Sequence, residues 1–243
     1  TGGEAILAAL AAARIDAPPS HLLVADLSSQ RDIHRLAGEV RRLAPRLDVL
    51  INNAGVICLS RRLCVDGIEM TFAVNHLAPF LLTRLLEDRL AASASARVVT
   101  VASEAHRVGR IDYNDLQGAR SFKGFKAYAQ SKLANILFTY ELSRRWKDQG
   151  ISANCMHPGT VDTAIFRESR GLVRFVLGLA RPFFITPPKG AAGVIRLADS
   201  REFMGVSGLY FKKERQARSS RASYDASSAA RLWEMSGALA PIA

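Results

Sequence analysis

Short apolar runs alternate with helical segments along this chain of 243 residues. The apolar runs predict strands at 21–26, 47–51, 97–102, 151–156 and 208–211. Helices are predicted at 4–14, from Ser28 or Ser29 to 43, at 67–90 with a bend near Pro79, at 128–147 and at 226–236. Strands that alternate with helices of about 12 to 20 residues are typical of βαβ units. We therefore predict one α/β domain, residues 1–243, built on a doubly wound parallel sheet with helices on both faces.

The chain carries a net charge of +11, with an isoelectric point near 10.1. A charge of this sign suits nucleic acid, an anionic membrane surface or an anionic cofactor. Most basic residues are scattered, and the densest run, Lys212–Arg221, has no interleaved aromatic side chains. We therefore predict no nucleic-acid partner and interpret this run as a solvated basic tail. Weak attraction to acidic lipid stays open, which makes peripheral membrane contact an alternative.

The cysteines, Cys58, Cys64 and Cys155, are odd in number and lack the spacing of metal ligands. They predict an intracellular, reducing compartment, no disulfide framework and no metal site. The sequence shows no signal peptide and no apolar run long enough to cross a bilayer. Two locations stay open: cytoplasmic, or peripherally associated with a membrane of the endoplasmic-reticulum type.

Tyr128 and Lys132 are separated by one helical turn, so their side chains share one face of the predicted helix. An ammonium close to a phenol favours the phenolate and lowers the pKa of the tyrosine. Such a pair can move a proton to or from an alcohol oxygen near neutral pH. Ser103 follows an apolar strand-like run upstream, and its hydroxyl could hold the same oxygen.

Polar residues follow four of the predicted strands: Asp26, Asn52-Asn53-Ala54-Gly55, Ser103 and the run 158–163. Each signal alone has a plainer interpretation, because an acid after a strand can be a helix cap and Asn-Asn-Ala-Gly can be a simple turn. Tyr128 and Lys132 can likewise be a helix-surface pair. Together they predict one site, because ligands of open α/β sheets bind at the carboxyl ends of the strands.

These motifs together resemble the classical short-chain dehydrogenase/reductases, with a Rossmann-like sheet, and within that superfamily the retinol dehydrogenase group. The resemblance extends from about Gly3 to near the end of the chain. Its motifs are Asp26-Leu27, Asn52–Gly55, Val74–Thr83, Val99–His106, Tyr128–Asn135, His157–Thr163, Ser207–Phe211 and Arg231–Trp233.

The resemblance implies four catalytic roles. Tyr128 would be the acid/base, and Lys132 would lower its pKa and bond the ribose of the nicotinamide nucleotide. Ser103 would hold the substrate oxygen, and Asn75 would anchor a water in a proton relay to Lys132. The implied reaction interconverts a lipophilic alcohol, such as a retinoid, and its aldehyde or ketone by hydride transfer. A dehydratase or epimerase is a more distant alternative.

The resemblance also implies a nicotinamide cofactor, NADP(H) rather than NAD(H), and residues that contact it. Asp26 and Leu27 would lie near the adenine, and Asn53, Ala54 and Gly55 would line the adenosine side. Pro158, Gly159, Val161 and Thr163 would hold the nicotinamide end, together with Lys132.

One element of the family pattern is not found. The family opens with a Thr-Gly-x-x-x-Gly-x-Gly turn that cradles the pyrophosphate, whereas this sequence starts Thr1-Gly2-Gly3-Glu4 and continues without such a turn. The first β-α-β unit is therefore expected to be missing, which would leave the strand at 21–26 without neighbours. Weak NADP(H) binding is the expected consequence, and a catalytically inactive protein with a binding or regulatory role is the alternative function.

Residues 164–206 are predicted to form a variable region that covers the substrate. Within it, the apolar stretch 171–187 carries three arginines and has two interpretations: a helix packed on the substrate cleft, or a lid that also touches lipid. By resemblance, the helices at 67–90 and 127–148 would be the faces of a homodimer.

Overall fold

The computed structural model describes Glu4, residues 20–159 and residues 186–242. Within these ranges lies one five-stranded sheet, in the order β1 (Val49–Asn52), β2 (Ala96–Val101), β3 (Ile151–His157), β4 (Tyr210–Lys212) and β5 (Arg215–Ala217). β1 to β4 are parallel, and β5 pairs antiparallel with β4. The predicted strands at 47–51, 97–102, 151–156 and 208–211 are thus confirmed to within two residues.

Seven helices accompany the sheet in the described ranges. They are α1 (Gln30–Leu43), α2 (Met70–Phe72), α3 (Ala78–Leu85), α4 (Glu87–Ala91), α5 (Gly124–Arg145), α6 (Pro187–Asp199) and α7 (Ala226–Leu239). A π-helical turn, Ala73–Leu77, joins α2 to α3, and 3₁₀ turns lie at Glu104–Val108, Arg201–Phe203 and Arg221–Tyr224. Among the described residues, no helix combines the length and the apolar character that a bilayer span requires.

The local sequence explains where several helices begin and end. Ser29 caps α1, since its hydroxyl accepts a hydrogen bond from the amide of Asp32. The predicted helix at 67–90 is divided: the π-helical turn precedes Pro79, which lies in the first turn of α3, where a missing amide hydrogen costs little. The predicted helix is thus interrupted near Pro79, by a π-helical turn.

Helices cover both faces of the sheet. Val98 of β2 belongs to a core cluster with Phe138 of α5, whereas its neighbour Val99 belongs to a cluster with Leu197 of α6. Successive residues of a strand point to opposite faces, so α5 and α6 lie on opposite sides. The predicted α/β class and its two helical layers are confirmed.

The predicted strand at 21–26 is not found. These residues pair with no strand in the described part of the chain, and Leu22 and Val24 are 42% and 73% exposed. β1 is the edge of the described sheet on this side. The apolar run has the composition of a strand, but a strand also needs a neighbour to which its amides and carbonyls can bond.

The basic run 212–221, predicted to be a solvated tail, is instead built into the fold. Lys212 closes β4, residues 215–217 form β5, and Ser219 is buried. The basic side chains of the run are exposed, so their charge gives no sign of the hairpin that their backbone forms.

The predicted variable region is described only from residue 186 onwards. Here α6 packs on the sheet, and Arg97 from β2 holds its C-terminal end by donating to the carbonyl oxygens of Leu197, Ala198 and Ser200. The rest of that region, including most of the apolar stretch 171–187, lies outside the described residues, as does all but Glu4 of the predicted helix 4–14.

The two predicted dimer faces are largely buried within the single chain. Residues 71–81 and 129–142 are all buried, because α5 lies between the sheet and α7. These stretches leave little exposed surface for a second copy, and the homodimer stays a prediction.

Candidate active site

The polar signals found at the ends of the predicted strands meet at one edge of the sheet. Asn52 ends β1, Ser103 follows β2, and Pro158 follows β3. The three strands are parallel and adjacent, so their carboxyl ends lie side by side. α5 carries Tyr128 and Lys132 past the same edge.

The ammonium of Lys132 is buried and donates a hydrogen bond to the carbonyl oxygen of Val101, with 3.0 Å between Nζ and O. Nζ also lies 5.8 Å from the centre of the Tyr128 ring. Burial disfavours the charged form and lowers the pKa of Lys132 to about 8. Lys132 is therefore close to titrating at physiological pH while it lies against the ring of Tyr128.

Burial raises the pKa of the Tyr128 phenol, and a hydrogen bond with the Ser103 side chain acts in the opposite direction. The ammonium of Lys132 donates to Val101 and lies over the face of the ring, and its lowering of the Tyr128 pKa stays a prediction. With its raised pKa, the phenol is protonated at neutral pH.

Ser103 is held at the start of a 3₁₀ turn. Its Oγ accepts a hydrogen bond from the amide of Ala105 at 3.3 Å, which leaves the hydroxyl proton available for donation. The half-buried Ser103 hydroxyl influences the pKa of the Tyr128 phenol, and their sharing of one substrate oxygen stays a prediction.

Asn75 lies in the π-helical turn and is fully buried. Its Nδ2 donates to the carbonyl oxygen of Val56 and to Oγ of Ser131, both at 2.9 Å. Its Oδ1 accepts from the amide of Val56 at 2.7 Å. The side chain therefore ties the loop after β1 to α5. A relay water at Asn75, as predicted, would have to donate to it, because both amide hydrogens are used.

The loop after β1 approaches Lys132 closely at Gly55. A Cβ atom on Gly55 would lie 3.3 Å from Nζ of Lys132 and 3.5 Å from Oδ1 of Asn75. Asn53 and Ala54 are exposed next to it, whereas Asn52 donates from Nδ2 to Oγ1 of Thr83 at 3.0 Å. The backbone at 53–55 is thus open for a ligand that reaches Lys132, which fits the cofactor contacts predicted for these residues.

Asp26 bonds within the turn that precedes α1, whose cap is Ser29. Its Oδ1 accepts from the amide and the hydroxyl of Ser28, at 2.9 and 2.7 Å, and its own amide donates to Asp32. Leu27 lines a small open pocket with Ile33 and Leu77. The helix-cap interpretation of Asp26 is therefore wrong, and its contact with adenine stays a prediction.

The nicotinamide-end residues are described only in part. Pro158 and Gly159 follow β3 and are half-buried. Gly159 has a φ of 103°, a conformation that side-chain-bearing residues rarely adopt. Val161 and Thr163 lie outside the described residues.

Several site residues were missed by sequence reasoning. Ser131 receives the bond from Asn75 and donates to the carbonyl oxygen of Tyr128 at 2.8 Å. Glu104 accepts from Tyr210 and Lys212 at 2.7 and 2.8 Å. Burial alone would raise the pKa of Glu104, but these bonds and one from Arg107 outweigh it and lower the pKa to about 2.

Ser131 and Glu104 lie inside the motifs quoted above, next to Lys132 and Ser103. Their position beside these two residues is the sequence signal that could have identified them. In the described part of the chain, no three His, Cys, Asp or Glu side chains are arranged to hold a metal ion.

Comparison with known proteins agrees with this geometry. The sequence profile of the family described as short chain dehydrogenase matches residues 2–171. Retinol dehydrogenase 14 from Homo sapiens is 42% identical over 214 residues, which are 87% of this chain and 64% of that protein. Retinol dehydrogenase 12 from Mus musculus is 40% identical over 225 residues, 92% of this chain and 71% of that protein. The chain thus spans less than two thirds of the length of human retinol dehydrogenase 14.

Solved structures show the same fold. The crystal structure of an uncharacterized protein from Mycobacterium paratuberculosis has a TM-score of 0.74 and 33% identity, with 96% of this chain and 80% of that chain covered. The Pseudomonas aeruginosa RhlG/NADP active-site complex has a TM-score of 0.61 and 26% identity, covering 78% of this chain and 73% of that chain. From the profile match, the relatives and the arrangement of Ser103, Tyr128 and Lys132, we conclude that the chain belongs to the short-chain dehydrogenase family, in its retinol dehydrogenase-like group.

Proposed function

We propose that this protein is an NADP(H)-dependent oxidoreductase that interconverts a lipophilic alcohol and its aldehyde or ketone. One observation carries the proposal: Tyr128 and Lys132 lie together on α5, with Nζ 5.8 Å from the centre of the ring, and Ser103 follows β2 at the same edge of the sheet. A proton donor, a second hydroxyl and a cation at the end of a parallel sheet form a site for a carbonyl oxygen.

The cofactor would be held by the backbone at Asn53, Ala54 and Gly55, by Lys132, and by Pro158 and Gly159. The missing side chain of Gly55 beside Nζ of Lys132 supports this placement, because a Cβ there would fill the approach to the ammonium. When bound, the nicotinamide supplies or accepts the hydride. Val161, Thr163, Asp26 and Leu27 belong to the same proposal.

The proton chemistry falls to the protein. In the direction of reduction, Tyr128 gives its phenolic proton to the carbonyl oxygen, and the Ser103 hydroxyl donates a hydrogen bond to that oxygen as negative charge develops. The raised pKa of Tyr128 suits this direction, since the phenol starts protonated. Lys132, whose pKa is about 8, then returns a proton to the phenolate and regains one through the relay water anchored at Asn75.

Two comparisons support the finer parts of the proposal. The RhlG structure is a complex with NADP, and the net charge of +11 favours the cofactor with the additional phosphate. Relatives named retinol dehydrogenases support an apolar, retinoid-like substrate. Such a substrate partitions into membranes, so peripheral contact with an endoplasmic-reticulum-type membrane is also part of the proposal.

Steady-state assays with two cofactors and two aldehydes test the proposal. The loss of reduced-cofactor absorbance is measured with NADPH or NADH, and with all-trans-retinal or the short aldehyde butanal. We expect kcat/KM to be at least about tenfold higher with NADPH than with NADH, and about tenfold higher with retinal than with butanal. Equal rates with both aldehydes would contradict the lipophilic substrate. No turnover with any combination would contradict the oxidoreductase itself.

A further inference from the structure

His106 lies next to the candidate catalytic serine and is fully buried. Its Nδ1 lies 2.6 Å from the carbonyl oxygen of Ser103, and its backbone amide donates to the same oxygen at 3.1 Å. One residue therefore supplies two contacts to the Ser103 carbonyl, which fixes the plane of the peptide that follows Ser103.

The protonation of the imidazole follows from its second contact. The backbone amide of Ser220 donates to Nε2 at 3.0 Å, and an amide can only donate. Nε2 is therefore the unprotonated nitrogen, and Nδ1 carries the hydrogen that it donates to Ser103. Burial lowers the pKa of His106, which keeps the ring in this neutral form.

The far partner of His106 is itself held in place. The amide of Ser219 donates to the hydroxyl of Tyr224 at 3.1 Å, and the Ser219 hydroxyl lies 2.8 Å from that of Tyr140 on α5. The ring of Tyr210 on β4 lies 5.1 Å from the imidazole. His106 is thus anchored to α5 and to β4, two elements that border the site.

These contacts form a path through the protein that starts at Tyr140 on α5. It leads through residues 219–220 to His106 and then to Ser103, whose side chain influences the pKa of Tyr128. The position of the Ser103 hydroxyl relative to the Tyr128 phenol therefore depends on the length of the imidazole bridge.

We propose that His106 is a positioning residue, whose neutral imidazole spans from Ser220 to the Ser103 carbonyl and so holds the Ser103 hydroxyl against Tyr128. The proposal rests on the proposed function only in the claim that this placement serves catalysis. The placement itself has its own readout, because the Ser103 bond lowers the pKa of the Tyr128 phenol.

Two substitutions separate positioning from mere filling of space. In His106→Asn, the side-chain NH₂ takes the place of Nδ1 and keeps the donor to Ser103, while the contact to Ser220 is lost. In His106→Gln, the longer amide places its oxygen near Nε2 and keeps the acceptor for Ser220, while the donor to Ser103 is lost. His106→Asn leaves the Ser220 amide without its partner, whereas in His106→Gln the Ser103 carbonyl keeps the bond from the backbone amide of residue 106. His106→Asn is therefore expected to lose at least as much folding stability as His106→Gln.

Activity should distinguish the two variants. With NADPH and all-trans-retinal, we expect His106→Gln to lower kcat at least about tenfold and His106→Asn, which loses only the anchor at Ser220, to lower it about threefold. The KM for NADPH should stay within about threefold in both. Equal losses of kcat in both variants would mean a purely structural role and would overturn the proposal.

A readout that needs no turnover keeps the two proposals apart. The ionisation of Tyr128 is followed by ¹³C NMR of tyrosine-labelled protein, and Tyr128→Phe identifies the signal. His106→Gln should raise the pKa of Tyr128 to about the same extent as Ser103→Ala, whereas His106→Asn should raise it by a smaller amount. If Ser103→Ala shifts the pKa and His106→Gln does not, the positioning role is wrong. If the shifts follow expectation but no substrate turns over, only the oxidoreductase proposal fails.

Ser220→Pro provides a second test in case His106→Gln does not fold. Ser220 has a φ of −68°, which proline adopts, and its buried Oγ has no partner among the described residues, so the substitution removes little beyond the amide hydrogen. We expect kcat to fall about three- to tenfold with an unchanged KM for NADPH, and a rise in the pKa of Tyr128. An unchanged kcat together with an unchanged pKa would overturn the proposal.

Discussion

The buried ammonium of Lys132 donates to the carbonyl oxygen of Val101 across 3.0 Å, a neutral partner for a charge that is removed from water. Because the folded pKa of about 8 lies below the ordinary value of 10.5, burial of this charge destabilises the fold at neutral pH. We expect Lys132→Met to raise the free energy of unfolding by about 1 to 2 kcal/mol at pH 7. This gain is the cost of burying the charge, which the variant avoids, minus the contribution of the lost bond to Val101.

The pH dependence of that gain follows from the same shift. The penalty is complete below pH 8, and it is relieved as pH rises through 8 towards 10.5, where the unfolded chain binds the extra proton. The advantage of Lys132→Met should therefore shrink over this range in urea unfolding. A variant that is less stable than the parent protein at pH 7 would contradict the account.

The bond between Asn75 and Ser131 should appear as a coupling energy. In a double-mutant cycle of Asn75→Ala and Ser131→Ala, we expect the two losses of stability to differ from additivity by about 1 kcal/mol, since each variant breaks the same 2.9 Å bond. Ser143→Ala, on the same helix but bonded to Ser207, provides the control and should be additive with Asn75→Ala. Additive losses of stability in both cycles would argue against the bond between Asn75 and Ser131.

Replacing two glycines by alanine should change the stability of the protein in opposite directions. A Cβ on Gly109 would collide with the backbone of Ala129, next to Tyr128, whereas a Cβ on Gly38 would meet nothing within 4 Å. We expect Gly109→Ala to cost about 1 to 3 kcal/mol and to lower kcat, because α5 must shift at the site. Gly38→Ala, inside α1, should gain about 0.5 to 1 kcal/mol with kcat unchanged. Thermal unfolding and NADPH-dependent turnover measure both; a neutral Gly109→Ala would contradict the close approach.

His76 should make the protein sensitive to acid. Burial lowers its pKa from 6.5 to about 3, and its Nε2 lies 2.8 Å from the Ser236 hydroxyl. As pH falls below 6.5 the unfolded chain takes up a proton that the folded state refuses, so stability is lost.

Between about pH 7.5 and 5.5, His76 should account for a loss of about 1.4 kcal/mol. His76→Gln, which keeps a donor towards Ser236, should lose that much less over the same range in urea unfolding. Equal pH dependence in the two proteins would show that His76 is protonated in the folded state.

The sequence was most informative where one element is buried along its whole length. The run Val98-Val99-Thr100-Val101 lies in β2, whose residues are all buried. A continuous apolar run of this kind is typical of strands in a parallel sheet. The run at 21–26 has similar composition but no neighbour in the described sheet, a property that composition does not carry. β5 was missed for the converse reason, since Arg215 and Gln216 are exposed although their backbone pairs with β4.

In the site, too, local patterns were visible in the sequence and long-range contacts were not. Ser103, Tyr128 and Lys132 were recognisable because their spacing and motifs place them on adjacent elements. The role of His106 depends on Ser220, which is 114 residues away in sequence, and no local pattern could reveal that contact. The spacing of Tyr128 and Lys132 does not show that the ammonium donates to Val101, nor that burial raises the pKa of Tyr128.

The most direct test of the central claim is the turnover number of Tyr128→Phe with NADPH and all-trans-retinal. This variant keeps the ring and removes only the phenolic proton, so we expect kcat to fall at least about 100-fold while the affinity for NADPH stays unchanged. Tyr113→Phe is the matched control: it removes a hydroxyl that bonds Ser228 on α7, and its kcat should stay close to that of the parent protein. A Tyr128→Phe protein that retains kcat within about twofold would contradict the account, because the proton would then come from another group.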